Sequence, residues 1–182
     1  MALTQIATGM IADAAVTTAK ITDANITAAK LASGAARSNF GAGTVLQVVS
    51  TTYNTYSSTA STTYANLFSA SITPLSTSSK ILVMVNCVGC TSASSGGGGS
   101  FQVTRAGSLI FVIDSIVAYN STSTQNRSGA TGTTYLDSPA STSSLTYAVQ
   151  WKSVDTNTFR INDYTYAGGN GTSTITLMEI AG

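Results

Sequence analysis

The sequence predicts a mainly β protein: an antiparallel sandwich or barrel preceded by a short repeat segment. Three observations lead there. Nine short runs rich in β-branched and aliphatic residues recur between clusters of Ser, Thr, Gly and Asn, no run of helical period accompanies them, and the first forty residues carry a decapeptide repeat of a different texture.

Composition sets the frame. The chain has 182 residues, enough for one well-buried domain with an appendage. Only 8% of residues are charged, while 30 Thr and 26 Ser make the expected surface hydroxyl-rich and poor in salt bridges. A hydrophobic fraction of 43% and a mean hydropathy of +0.21 supply material for a core. Net charge is +1 with no basic run, which argues against nucleic acid as a partner. No stretch reads as a signal peptide or a membrane-spanning helix, so a protein made in the cytosol without membrane insertion is expected.

From residue 11 the repeat aligns as IADAAVTTAK, ITDANITAAK, LASGAARSNF. Aliphatics fall at Ile11, Val16, Ile21, Ile26 and Leu31, five residues apart. On a helix each such step turns about 140°, which scatters them around the cylinder, and on a strand an odd step flips faces every time. Neither element buries them alone. Three readings remain: single helical turns capped by Asp13 and Asp23 with extended links, an extended strand covered on both faces by partner chains, or a disordered Ala/Thr linker. The first two require neighbours. Residues 31–43, with three glycines, read as a hinge, giving an N-terminal repeat segment over 1–43 and a β domain over 44–182.

The expected strands are 44–50, 65–73, 80–88, 100–105, 108–119, 132–137, 144–153, 157–163 and 173–181. The best hairpin signal is FQVTRAGSLIF, where Ala106-Gly107 separates two alternating runs. Trp151, Tyr147, Phe111 and Phe159 are expected in the core or at subunit contacts. TSASSGGGGS (91–100) reads as a flexible exposed loop and lacks the Lys-Ser/Thr of a phosphate-binding loop.

Chemistry is sparsely provided for. The absence of His removes the commonest general base, and the seven carboxylates form no catalytic pair in sequence, so no enzyme is expected. Cys87 and Cys90 have no second ligand pair and read as buried structural thiols. DTNTFRIND (155–163) lacks the residue order of a calcium loop. Neither a metal nor another cofactor is expected.

DAAVTTAKITDANITAAKL resembles the D-x-x-V-T-x-A-K repeats near the N-termini of tailed-bacteriophage fibre and virion appendage proteins. SITPLSTSSKILVMVNCVG and the terminal STITLMEIAG are similar to the body of small fibre-like proteins of such phages. The resemblance runs from about residue 10 to the end. It implies a jelly-roll-like sandwich head carried as a homotrimer on an irregular or intertwined N-terminal segment, located in the virion. Ile11, Val16, Ile21, Ile26 and Leu31 would then contact the other chains or another virion protein of tail or capsid.

Such a head would bind, not catalyse, with a host surface glycan as the expected target; aromatic faces pack on sugar rings, and amides and carboxylates hydrogen-bond hydroxyls. Late loops offer Tyr164 and Tyr166 with Asn162 and Asp163, then Arg127 and Tyr119. The alternative is a capsid decoration or cement protein that staples the shell.

Overall fold

Alternation of apolar and polar side chains decides which face of each strand turns inward. The computed structural model describes residues 41–93, 97–117, 126–164 and 169–182, with the backbone alone for 114–117 and 126–128. The chain divides into two units, Met1–Phe40 and Gly41–Gly182, and every described residue belongs to the second. Ile11, Val16, Ile21, Ile26 and Leu31 lie outside the described residues.

Strands β1 (Val45–Tyr53), β2 (Ser57–Thr59), β3 (Ala65–Ile72), β4 (Lys80–Ser92), β5 (Gly99–Arg105) and β6 (Ser108–Val117) form the first half. The second half holds β7 (Asn126–Asp137), β8 (Leu145–Ser153), β9 (Phe159–Ile161), β10 (Asp163–Tyr164), β11 (Gly169–Asn170) and β12 (Ser173–Ile180). No helix occurs among the described residues. All pairings are antiparallel. One sheet runs β1-β12-β4-β7, and the other runs β3-β8-β5-β6. The short strands extend the first sheet: β9 pairs with the end of β4 on the side away from β7, above β12, and β2 pairs with β9, above β1. Apart from β5 and β6, which form a hairpin within one sheet, consecutive long strands alternate between two sheets that pack as a sandwich.

The core is the meeting of the two inner faces. Ile81, Val83, Val85, Ile175 and Leu177 from the first sheet face Phe68, Ile72, Phe101, Val103, Tyr147 and Val149 from the second. At one end Phe159 of β9 lies edge-on to Phe101 (5.5 Å) and beside Trp151 (5.9 Å). Both open sides of the sandwich are closed by stacked rings, Tyr53 on Phe68 between β1 and β3 (5.3 Å) and Phe111 on Tyr135 between β6 and β7 (4.9 Å).

Two buried carboxylates pin the end where the chain enters. Asp137 accepts hydrogen bonds from Tyr147 Oη (2.7 Å) and Arg105, linking β7 to β8 and β5 across the sheets. Glu179 accepts from the Leu75 amide (2.7 Å) and from Gln47 Nε2 (2.5 Å), fixing the β3–β4 connection against β12 and β1. Ala106-Gly107 forms the expected hairpin turn, with φ of 49° and 85°, the doubly left-handed geometry that matches strand twist.

The glycine-rich stretch departs from expectation. Thr91 and Ser92 end β4, Gly99 and Ser100 begin β5, and all four are buried, so these parts of TSASSGGGGS are not an exposed loop. The reason is Phe159: its ring occupies the space that a Cβ at Gly99 would need. Cys87 and Cys90 are buried on the two sides of a bulge in β4.

Truncating Asp137 leaves a buried phenol without its acceptor, and Asp137→Ala should lower stability by about 2–3 kcal/mol in urea denaturation followed by Trp151 fluorescence. Alkaline pH acts on neighbouring groups. Burial, reinforced by Cys90, pushes the Cys87 thiol up, and burial with the Asp137 hydrogen bond raises the Tyr147 phenol above the usual tyrosine range. The folded state holds both protons more tightly than the unfolded chain, so their contribution is complete below the unfolded values, about 8.5 and 10, and is lost as pH rises through them. The urea midpoint should therefore hold between pH 6 and 8 and fall from about pH 9 upward. A midpoint that rises with pH would contradict this assignment.

Candidate functional site

The registers sort the connections into two poles. Val45, Ile72, Lys80, Arg105, Ser108, Asp137, Leu145 and Ile180 lie at one pole, with the chain entry at Gly41 and the end at Gly182. Gly43 N donates to Ala181 O (2.7 Å) and Ala181 N to Thr44 O (2.8 Å), tying entry to exit. Thr59, Ala65, Ser92, Gly99, Val117, Asn126, Ser153 and Phe159 mark the opposite pole. The described strand ends that flank residues 60–64, 93–98, 118–125 and 154–158 all lie there. That convergence makes it the candidate binding end.

Asn162 organises the flank of this pole. Its Nδ2 donates to Tyr53 O (2.9 Å) and Thr55 O (3.0 Å), holding the kink between β1 and β2. Its Oδ1 accepts from Ser173 Oγ (2.8 Å), and Ser173 Oγ accepts from Val88 N (3.1 Å). On the backbone, Asn162 N donates to Val88 O (2.9 Å) and Gly171 N donates to Asn162 O (3.2 Å). With φ of 58°, the residue occupies the left-handed region that Asn tolerates better than most side chains. This turn sends β10 back over the end of β4, where Thr91 Oγ1 donates to Asp163 Oδ2 (2.8 Å). Gly89 and Gly171 permit the approach. A Cβ at Gly89 would come within 2.6 Å of Asp163 N, and one at Gly171 within 2.6 Å of the Tyr164 ring.

The six expected contact residues therefore part company. Tyr164 is exposed (38%), its ring lying over Gly171 beside Val88. Asn162 and Asp163 are corrected: both are buried and bonded inside the protein, because the chain needs an amide to hold the β1–β2 kink and a carboxylate to receive Thr91. Arg127 lies in β7 with its backbone opposite Thr91, one strand from Asp163; its side chain is outside the description. Tyr119 and Tyr166 lie outside the described residues. Arg127, Asp163 and Tyr164 thus gather around the end of β4.

Sequence reasoning missed Tyr56, exposed at the kink that Asn162 holds. The cue was available in TTYNTYSST, where two tyrosines three apart take opposite roles: Tyr53 packs on Phe68 and Tyr56 faces solvent. It also missed Tyr64, which carries Lys152 Nζ 4.7 Å above its ring and bonds Ser100 Oγ (2.6 Å). Asp155 closes its own turn, accepting from Asn157 N (3.2 Å) and Nδ2 (2.6 Å). Exposed aromatic rings among hydroxyls and amides can stack on and hydrogen-bond to a ligand; among the described residues no group of three or more carboxylates and thiols is placed to hold a metal ion.

No family model and no curated protein sequence matches the chain. Among solved structures, the crystal structure of the infectious bursal disease virus VP2 subviral particle is similar, at 12% identity and a TM-score of 0.40. The match covers 75% of this chain and 37% of that one, so the chain spans just over a third of that structure's length.

Asn162→Ala removes three side-chain hydrogen bonds and puts a β-carbon residue without amide compensation in the left-handed region. It should cost about 2–4 kcal/mol in urea denaturation, with faster proteolysis around the β1–β2 kink as the local signature.

Proposed function

We propose that this chain is a structural protein of a bacteriophage virion, a homotrimeric fibre or appendage joined to the particle through residues 1–43 and turning its β head outward. The observation that carries the reading is the separation of the poles. Chain entry and exit are tied together at one end, and the strand ends that bound four connections, with the tyrosine-bearing flank, lie at the other. A head attached at the entry end would hold those loops farthest from the particle, where a host surface is met. The strand order supports this assignment of parts: counted over the eight long strands, the sheets read 1-8-3-6 and 2-7-4-5, the wiring of a jelly roll. The N-terminal repeat, whose five-residue apolar spacing suits no solitary helix or strand, is the part that calls for three chains. Binding to a glycan through exposed rings such as Tyr164 fits the same arrangement.

Light scattering on the full chain should report three protomers, and a chain beginning at Gly43 should lose trimer stability. A monomer from the full chain would overturn the reading. Tyr164→Ala, at a ring that is partly exposed and partly packed on Gly171 beside Val88, should leave the chain folded at a cost of about 1–2 kcal/mol and reduce adsorption of the trimer to host cells. Labelled trimer found on the capsid lattice of intact particles, and not at the tail, would favour a decoration protein instead.

A further inference from the structure

The two outer faces of the sandwich differ in kind. On the β3-β8-β5-β6 sheet the outward side chains of β3, β8 and β5 form a polar ladder, with Leu109 and Val112 exposed on the edge strand β6: Gln102 Nε2 donates to Gln150 Oε1 (2.7 Å), Gln150 Nε2 to Asn66 Oδ1 (2.8 Å), and Ser71 bonds Thr146 (2.8 Å). The outer face of the β1-β12-β4-β7 sheet carries a row of four aliphatic side chains in strict register, Val48, Met178, Leu82 and Leu136. The next row toward the entry pole adds Ile180, and the row on the other side adds Met84. Val48 is 54% and Leu136 47% exposed, at the two edges of the row. Farther toward the loop pole, the same face is covered by the chain's own β10 segment at Thr91 and by the Tyr164 ring beside Val88. The apolar row is the part left open.

We propose that this open apolar row is a contact surface between copies of this chain, three sheets closing around a common axis parallel to their strands. Charge favours a second copy over a foreign partner. In these three rows Lys80 is the one ionisable side chain, so the face offers nothing to pair with a charged surface and little to repel its own copy. Size agrees with threefold closure. Four strands span about 19 Å and three outward rows about 20 Å, a footprint on the order of 400 Å² per chain. A triangle with sides of about 19 Å has walls about 5.5 Å from its centre, close to half the separation of about 10 Å at which sheets pack face to face. Three such faces fill the centre with one layer of side chains each. The footprint is about half a standard interface per partner, so the contact contributes to assembly and does not make an all-or-none clamp. Parallel strands would also put every entry pole at one end and every loop pole at the other. The count of three rests on the proposed function; the choice of face does not.

The test compares the full chain with Val48→Lys/Leu136→Lys by light scattering over a dilution series, or by the urea concentration at which the assembly dissociates. Leu109→Lys, equally exposed on the other sheet, is the control, and Trp151 fluorescence verifies folding. The double variant should fold and show at least a tenfold weaker association or a clearly lower dissociation midpoint, with the control unchanged. A folded double variant that assembles like the wild type overturns the proposal and leaves the trimeric reading standing. A wild-type monomer overturns both. A wild-type dimer that the double variant weakens upholds the face and removes the threefold closure.

Discussion

The side-chain amide of Asn162 sits where four stretches of backbone must agree. The column beside β4 is occupied by β12 along its first half and by β9 along its second, and the chain leaves this column between the two to make the β10–β11 hairpin. Such a break exposes backbone groups on both sides of it, and buried groups of this kind cost about 1–3 kcal/mol each when unpaired. Asn162 supplies partners for the carbonyls of Tyr53 and Thr55 and, through Ser173, for the amide of Val88. The kink of the edge strand, the bulge in β4, the start of β12 and the direction of β10 are therefore set together. A shorter polar side chain would reach fewer of these groups, and an apolar one would satisfy none.

Given that joint, the low charge content becomes a workable design. Among the described residues one salt bridge is formed, between Arg105 and Asp137, and most surface pairing is between hydroxyls and amides. Exposed pairs of this kind each contribute little, but they lie across strands and favour the register that the inner apolar residues already impose. Stability rests instead on two-sided burial and on rings that shut the sides of the sandwich. The same economy explains why an aliphatic row on one outer face stands out: on the other sheet the outward positions of β3, β8 and β5 pair amides and hydroxyls, Gln102 with Gln150, Gln150 with Asn66 and Ser71 with Thr146.

Much of the β architecture was legible, for a physical reason. Period-two alternation marked β3, β4, β5, β8 and β12 to within a few residues, and Ala106-Gly107 identified its hairpin because few residues accept two consecutive left-handed conformations. What stayed hidden is long-range. The three residues of β2 were missed because Ser57–Thr59 has no apolar alternation; it is a strand because β9 lies beside it. Thr91, Ser92 and Gly99 read as loop because small polar residues usually are, whereas here Phe159 fills the space above Gly99. Asn162 and Asp163 looked like surface ligands because an Asn-Asp pair next to tyrosines is ordinarily solvated; the groups they serve come from residues 53–55 and 91, far away in sequence. Tyr164 alone of that cluster has both a described side chain and an exposed ring.

The distribution of strong polar contacts then bears on how such a sandwich could vary. Buried carboxylates, each with two donors, sit at the entry pole: Asp137 holding the two sheets together, and Glu179 holding the β3–β4 connection next to the tied chain ends. At the opposite pole the described connections combine local bonds, Ser61 with Thr63 and Asp155 with Asn157, with backbone bonds from one connection to another, Ser153 N to Ser61 O (2.7 Å), Val154 N to Gly98 O (3.1 Å) and Ala93 N to Thr158 O (2.9 Å). The bonds between connections run through backbone atoms, so a loop there can change its side chains without losing them. The registers are meanwhile held by the core, by Asn162 and by the carboxylates at the far end. A molecule arranged in this way separates the residues that determine its fold from those that would determine what it touches, and it does so along the strand axis.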